Sequence, residues 1–289
     1  MLVGQNNPEL WTGIAWNALW MAPLAAVALG LMLWRGWLGP RGLDRAPGRE
    51  AGLGPLDVLA GFGIYLAATS LLAAPLLHQI GLAGDQLMPI EQGARMLLLQ
   101  VLGQGSAAAY LLVRASQAER GVRNLGILPR RPLRDLFLGL GGLGLTLPVI
   151  FAVMLLMRVV GELVGDPAPE RQHETLNVIA QAGPGARLLL LLAVVVFAPL
   201  LEEIMYRGLI QTSLLPALGD QRWLVVLVAA GFFSLVHLGG VPWHALPALA
   251  ILGVLFGWLY ERTGSLWPGI VAHAGFNALN SFLVVGGVA

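Results

Sequence analysis

The sequence predicts an all-α fold: a polytopic membrane helical bundle of about eight transmembrane helices, in a single membrane domain over residues 1–289. Three observations carry this. Of the 289 residues 57% are hydrophobic and 11% charged, with a mean hydropathy of +0.74, whereas a soluble domain carries about a quarter charged residues. The apolar residues gather into runs that reach the roughly 20 residues a bilayer span needs. Eight such runs follow one another, centred near Leu24, Leu66, Gln104, Leu147, Val196, Leu227, Leu252 and Phe276. The chain has no cysteine, which excludes disulfides, thiolate catalysis and cysteine-ligated metal. Its net charge of +1 argues against a nucleic-acid partner.

The first run follows eleven residues without a basic segment and is long, so it reads as a membrane helix and not as a cleaved signal peptide. The fourth, Leu136 to Met157, holds no charge at all. Pro148 and Gly253 lie inside spans, where membrane helices tolerate them as kinks. The connections set the orientation through their arginines, since every basic residue is arginine. The first carries Arg35, Arg41, Arg45 and Arg49; the third carries Arg114, Arg120, Arg123, Arg130, Arg131 and Arg134. Both are expected to be cytoplasmic. The second holds Asp85 and Glu91, and the fourth sets Glu162, Asp166, Glu170 and Glu174 against Arg158, Arg171 and Arg187. Those are expected outside, and eight spans then place both termini outside.

The chemistry gathers in the last four spans. Three short pieces place ionisable or polar groups in or beside apolar runs: Glu202-Glu203-Ile204-Met205-Tyr206-Arg207, Phe233-Ser234-Leu235-Val236-His237 and His273-Ala274-Gly275-Phe276-Asn277. Such groups are costly at membrane depth and usually face one another, water or a substrate. Glu203 and Arg207, Phe233 and His237, and His273 and Asn277 are each four apart, which puts each pair on one helix face. A glutamate in a poorly solvated site can take a proton from water and later return it. Glu202 is expected to do this. Glu203, about 100° further round the helix, is expected to pair with Arg207 and hold the helix together. The bland alternative is a paired charge cluster at a helix end with the arginine snorkelling to the surface.

Other candidates are weaker. His173 and Glu174 begin like a zinc-protease helix, but position 177 is Asn and not the second histidine. Gly219-Asp220 lacks the glycine that would precede it in an aspartyl protease motif, and Gly103-Gln104-Gly105-Ser106 resembles a serine loop with no histidine in register. His78 and His244 read as interfacial residues. One arrangement sits awkwardly. Glu202 falls toward one end of the fifth span and His237 toward the opposite end of the sixth. They meet if the fifth helix continues past Arg207, through Leu209-Ile210 to Leu215; a tilted sixth helix or a re-entrant turn at Gly239-Gly240 would also bring them together.

With Glu202-Glu203-x-x-x-Arg207, Phe233-x-x-x-His237 and His273-x-x-x-Asn277 in that order, the C-terminal part resembles the CPBP family, the CAAX proteases and bacteriocin-processing enzymes also called Abi proteins. The resemblance covers roughly residues 185–285, expected to be the catalytic core, with helices and loops of residues 1–184 before it. It implies an intramembrane endopeptidase in a bacterial or archaeal cell membrane, acting on a membrane-associated peptide or protein. Glu202 and His237 would activate a water, and His273 and Asn277 would stabilise the oxyanion. Glu203, Arg207 and Phe233 match supporting positions. Glu202, His237 and His273 are also the residues that would hold a divalent metal such as zinc; acid–base groups with Asn277 donating to the oxyanion serve the same reaction without one. A transporter using the same polar cluster as a relay and a non-catalytic membrane scaffold are the competing classes. The oligomeric state is left open.

Overall fold

Prolines open most of the long helices. The computed structural model describes residues 8–44, 46–47, 51–119, 121–168 and 174–286. Arg45, Arg49, Arg120, Glu170, Arg171 and His173 lie outside the described residues. Eight long helices follow in order: α1 (Pro8–Trp34), α2 (Pro55–Gln79), α3 (Pro89–Ser116), α4 (Pro132–Val164), α5 (Pro184–Ala217), α6 (Arg222–Leu235), α7 (Leu246–Thr263) and α8 (Trp267–Val285). Proline at the first helical position has no N–H to leave unpaired and a φ already set for the helix. It starts α2, α3, α4 and α5. Asp57 and Glu91 then reach back to the backbone N–H of Gly54 and Met88, each at 2.8 Å. Gly165 and Gly264, at φ 78° and 64°, end α4 and α7 in the left-handed conformation that glycine adopts without strain.

The bundle is all-helical as expected, with one correction to the spans. Among the described residues seven helices are long and apolar enough to cross a membrane. The sixth run, centred near Leu227, is the exception. Its helix α6 has 14 residues, about 21 Å at 1.5 Å per residue against a hydrocarbon core of about 30 Å. The cause lies at both ends. A turn at Gly219 and Asp220, with φ of 62° and 58°, delays its start. A tight turn after Leu235 stops it: the N–H of His237 bonds to Ser234 O, Gly239 sits at φ 93°, and a bridge joins Leu238 to Val241. The chain then enters α7 through Pro242 and the 3₁₀ turn Trp243–Ala245.

Helix α5 goes the other way. Its 34 residues, about 51 Å long, run through Leu215 to Ala217. Glu202 therefore lies near the middle of the helix. Two stretches of α5, Leu192–Phe197 and Ile204–Gln211, are wound as π-helix, as are Ala68–Ala73 in α2 and Gln100–Gln104 in α3. Pro75 and Pro199 stand just after two of these stretches. A proline ring clashes with the carbonyl four residues back, and a widened turn relieves that clash. The main core packs α4, α5, α6, α7 and α8 around Phe233, Phe256, Tyr206, Ile210 and Leu252.

Candidate active site

The carboxylate of Glu203 is fully buried and accepts a hydrogen bond from Arg207 Nη1 at 2.8 Å. That is the pair the four-residue spacing predicts, and both side chains are essentially without exposure. The second arm of the guanidinium donates from Nη2 to Gly253 O at 2.9 Å. One turn on, Gln211 Nε2 donates to Gly257 O at 3.1 Å and to Glu261 Oε1 at 2.7 Å. Arg207 and Gln211 on α5 thus face 253, 257 and 261 on α7 as a ladder. Glycine makes the approach possible, because a Cβ on Gly257 would come 2.9 Å from Gln211 Oε1. Phe233, Phe256 and Tyr206 surround the guanidinium, with Cζ 5.1, 5.1 and 5.8 Å from their ring centroids. Snorkelling to the surface is therefore not what Arg207 does.

Glu203 has a further partner that helix periodicity could not reveal. His273 Nδ1 lies 3.2 Å from its Oε1. A carboxylate oxygen only accepts, so Nδ1 carries the hydrogen and the ring turns its Nε2 away from α5's buried side. That Nε2 lies 3.8 Å from Glu202 Oε2, too far for a direct hydrogen bond but within the span of one water bonded to both. Two aromatic rings hold the imidazole in place: Phe256 stacks on it at 4.9 Å, and Phe233 meets it edge-on at 5.5 Å. The same Phe233 ring lies 5.0 Å from the ring of His237. Phe233 is 1% exposed, a core residue that spaces the two histidines.

His237 stands where α6 gives way to the turn. Its Nδ1 lies 2.6 Å from Phe233 O, so Nδ1 is again the protonated nitrogen and Nε2 keeps its lone pair in the neutral ring. Glu202, His237, His273 and Asn277 all line one cavity of about 360 Å³. Glu202 Oε2 is buried there with no hydrogen-bond partner. The awkward placement of Glu202 and His237 resolves because α5 continues and α6 stops short. Among the described residues no group of three His, Cys, Asp or Glu side chains is arranged to hold a metal ion. Glu202, His237 and His273 share the cavity without forming a three-ligand set.

Asn277 is already engaged. Its Nδ2 donates to Val194 O at 2.8 Å. The reason lies in α5: the N–H of Ala198 bonds to Ala193 O, and the next nitrogen along, that of Pro199, carries no hydrogen. Val194 O is thereby stripped of a helical partner, and Asn277 supplies one from α8. Of its two amide hydrogens one remains for other use. Asn277→Ala leaves that carbonyl unpaired, so the protein is expected to lose about 1–3 kcal/mol of stability. Thermal unfolding in detergent, compared with wild type, reads this directly. An unchanged melting temperature would show that Asn277 does not pin α8 to α5.

The remaining sequence candidates fall elsewhere. His244 packs inside the protein, 2% exposed, with Nε2 2.7 Å from Asp166 O and its ring stacked on Trp243. Trp243 Nε1 in turn donates to Asp166 Oδ2 at 2.8 Å, so both residues tie the start of α7 to the end of α4. Gly103 to Ser106 lies within α3 and forms no serine loop, the Ser106 hydroxyl donating to Leu102 O at 2.5 Å. Sequence reading missed Gln211 and Glu261 in the ladder and Gln100 on the cavity wall. The signal available was an amide four residues from another in an apolar run, Gln100 and Gln104, and the Arg207–Gln211 spacing.

Comparison with known families agrees with the motifs. Residues 184–279 match the family model described as Rce1-like, type II CAAX prenyl endopeptidase. The matched stretch runs from the start of α5 into α8 and contains every residue of the three motifs, so the resemblance to the CAAX proteases stands for this part of the chain. No curated protein and no solved structure gives a match.

Proposed function

We propose, from the family match over residues 184–279, that this protein is an intramembrane endopeptidase that hydrolyses a peptide bond of a membrane-associated peptide or protein. Residues 185–285 form its catalytic core and residues 1–184 its supporting helices. One observation carries the reading beyond the family match. The Glu202 carboxylate is buried and unpartnered at Oε2, in a cavity it shares with two histidines whose Nδ1 atoms are each tied to an acceptor. An apolar bundle does not keep such a group for packing.

In the proposed reaction Glu202 takes a proton from a water that His237 helps to hold through Nε2. The resulting hydroxide adds to the carbonyl carbon of the peptide. The free amide hydrogen of Asn277 donates to the oxyanion that develops, and His273, oriented by Glu203 from behind, donates to the same oxygen from Nε2 when both of its ring nitrogens carry hydrogen. Glu202 then returns the proton to the amine as the C–N bond breaks, leaving one carboxyl and one amino terminus. No part of this sequence requires a metal. If zinc sits on Glu202, His237 and His273 instead, metal analysis of the purified protein will find it at one equivalent, and Glu202→Gln will release it.

The test is hydrolysis of a quenched peptide library by protein purified and reconstituted in vesicles, beside the Glu202→Gln variant. Cleavage by wild type alone supports the reading. Equal biological activity of the two proteins without any cleavage would favour a scaffold.

The proposed topology has the arginine-rich connection 114–134 in the cytoplasm and both termini outside. Because α6 is short, this requires that α6 and the segment after it together complete a crossing. Tags inserted at 116–132 should be shielded from reagents added to intact cells, and tags at each terminus should react. One reactive and one shielded terminus would mean that the chain crosses seven times and α6 does not cross.

A further inference from the structure

The cavity that holds Glu202 has a second wall, built by α3, which carries none of the three motifs. Gln100 lines it. The residues around it in the sequence, Met96-Leu97-Leu98-Leu99 and Val101-Leu102, are apolar. Yet Gln100 Oε1 is buried and has no hydrogen-bond partner. A leucine here would remove an unsatisfied acceptor from the interior, where such groups are costly. The backbone singles out the same position. Gln100 opens the π-wound stretch Gln100–Gln104, and π turns inside α-helices recur at functional sites. This stretch packs against Ala198–Glu203, the piece of α5 that ends in the two glutamates. The same cavity is lined by apolar Met96, Phe151, Met154 and Leu249.

We propose that Gln100 is a substrate-binding residue whose Oε1 accepts a backbone N–H of the peptide next to the bond being cut, and that the substrate enters as an extended, apolar segment. The proposal rests on the endopeptidase reading and specifies the substrate of that site. A lone acceptor needs a donor. At membrane depth the substrate's side chains are apolar, so the donor every peptide carries is its backbone N–H. In a helix those N–H groups are already spent on carbonyls four residues back. Only an unwound stretch has one to give, and in an extended stretch the side chains on either side of it turn to opposite faces. One can then lie against Met154 and Leu249 while the scissile carbonyl reaches Glu202. Gln100 is a positioning residue for the substrate and takes no part in proton transfer.

The experiment uses wild type and Gln100→Met in vesicles, with a peptide that wild type cuts and a set of its analogues, each N-methylated at one backbone nitrogen. Methionine keeps the length of the side chain without the amide. The variant is expected to lose about tenfold in kcat/KM, carried by KM, the worth of one neutral hydrogen bond. Methylation of one nitrogen beside the scissile bond should cost wild type about the same factor and cost the variant nothing further, as expected when both changes remove one interaction. Gln100→Met should melt no lower than wild type, because it removes a buried unsatisfied atom. The proposal is overturned if Gln100→Met keeps the wild-type KM, if no methylated analogue behaves differently in the two proteins, or if the variant melts well below wild type. Failure of wild type itself to cut any peptide would instead bring down the endopeptidase reading, and this proposal with it.

Discussion

Glu202→Gln should lower peptide hydrolysis by roughly 10²- to 10⁴-fold, the range for loss of a general base, while leaving the melting temperature at or above that of wild type. The stability half of this expectation comes from the structure. Glu202 Oε2 has no hydrogen-bond partner, and His273 Nε2 lies 3.8 Å from it. Exchanging the carboxylate for an amide of the same shape removes a charge from a poorly solvated site and breaks no hydrogen bond at Oε2. The loss should also be non-additive. Groups that act on one water fail together, so Glu202→Gln combined with His237→Ala should be little slower than either alone. Steady-state rates of the two singles and the double, on a peptide that wild type cuts, check this. If each substitution multiplied the other's effect, the two residues would be acting at separate steps, and the shared-water mechanism would be wrong.

Arg207→Ala is expected to destabilise the protein by about 3–5 kcal/mol, the cost of breaking a buried ion pair from one side. It leaves Glu203 charged at zero exposure, with His273 its one remaining hydrogen-bond partner and Gly253 O without the Nη2 donor. Activity should fall as well, since Glu203 is what orients His273. The check is chemical or thermal unfolding in detergent. Glu203→Gln introduced together with Arg207→Ala should recover part of the stability, because no unpaired charge then remains inside, but not the activity, because His273 has lost its carboxylate. An Arg207→Ala protein as stable and as active as wild type would sink the structural role assigned to the pair.

The two glutamates show how far a sequence can be read. Their separate roles followed from helix geometry: neighbours on a helix point about 100° apart, so only one of them can face Arg207 four residues on. The pairing of Glu203 with Arg207 was legible for that reason, and the structure places it at 2.8 Å. The pairing of Glu203 with His273, 70 residues away, had no local signal. It depends on how closely α8 lies against α5, and that closeness depends on Gly269, where a Cβ would come 2.9 Å from Glu203 Oε2. Asn277 is a mixed case. The defect it repairs is written in the sequence as Pro199, but which side chain reaches Val194 O depends on the depth at which two helices meet.

By itself, then, the sequence determined the all-helical membrane bundle, the order of its helices and the faces on which Glu203, Arg207, His273 and Asn277 stand, whereas His237 lies past the end of α6. Hydropathy and the 3.6-residue period are local properties, and each can be counted along the chain. Tertiary structure alone decided that α6 ends after 14 residues and that Gln100 shares the cavity with the motifs; it also selected, among the arrangements the sequence allowed, the one in which α5 runs on and carries Glu202 to its middle. These are matters of relative depth and rotation between helices far apart in sequence. In a bilayer an apolar side chain gains no hydrophobic advantage from facing another helix over facing lipid. The small residues that let helices approach, and the few polar groups that must find partners, set the register instead.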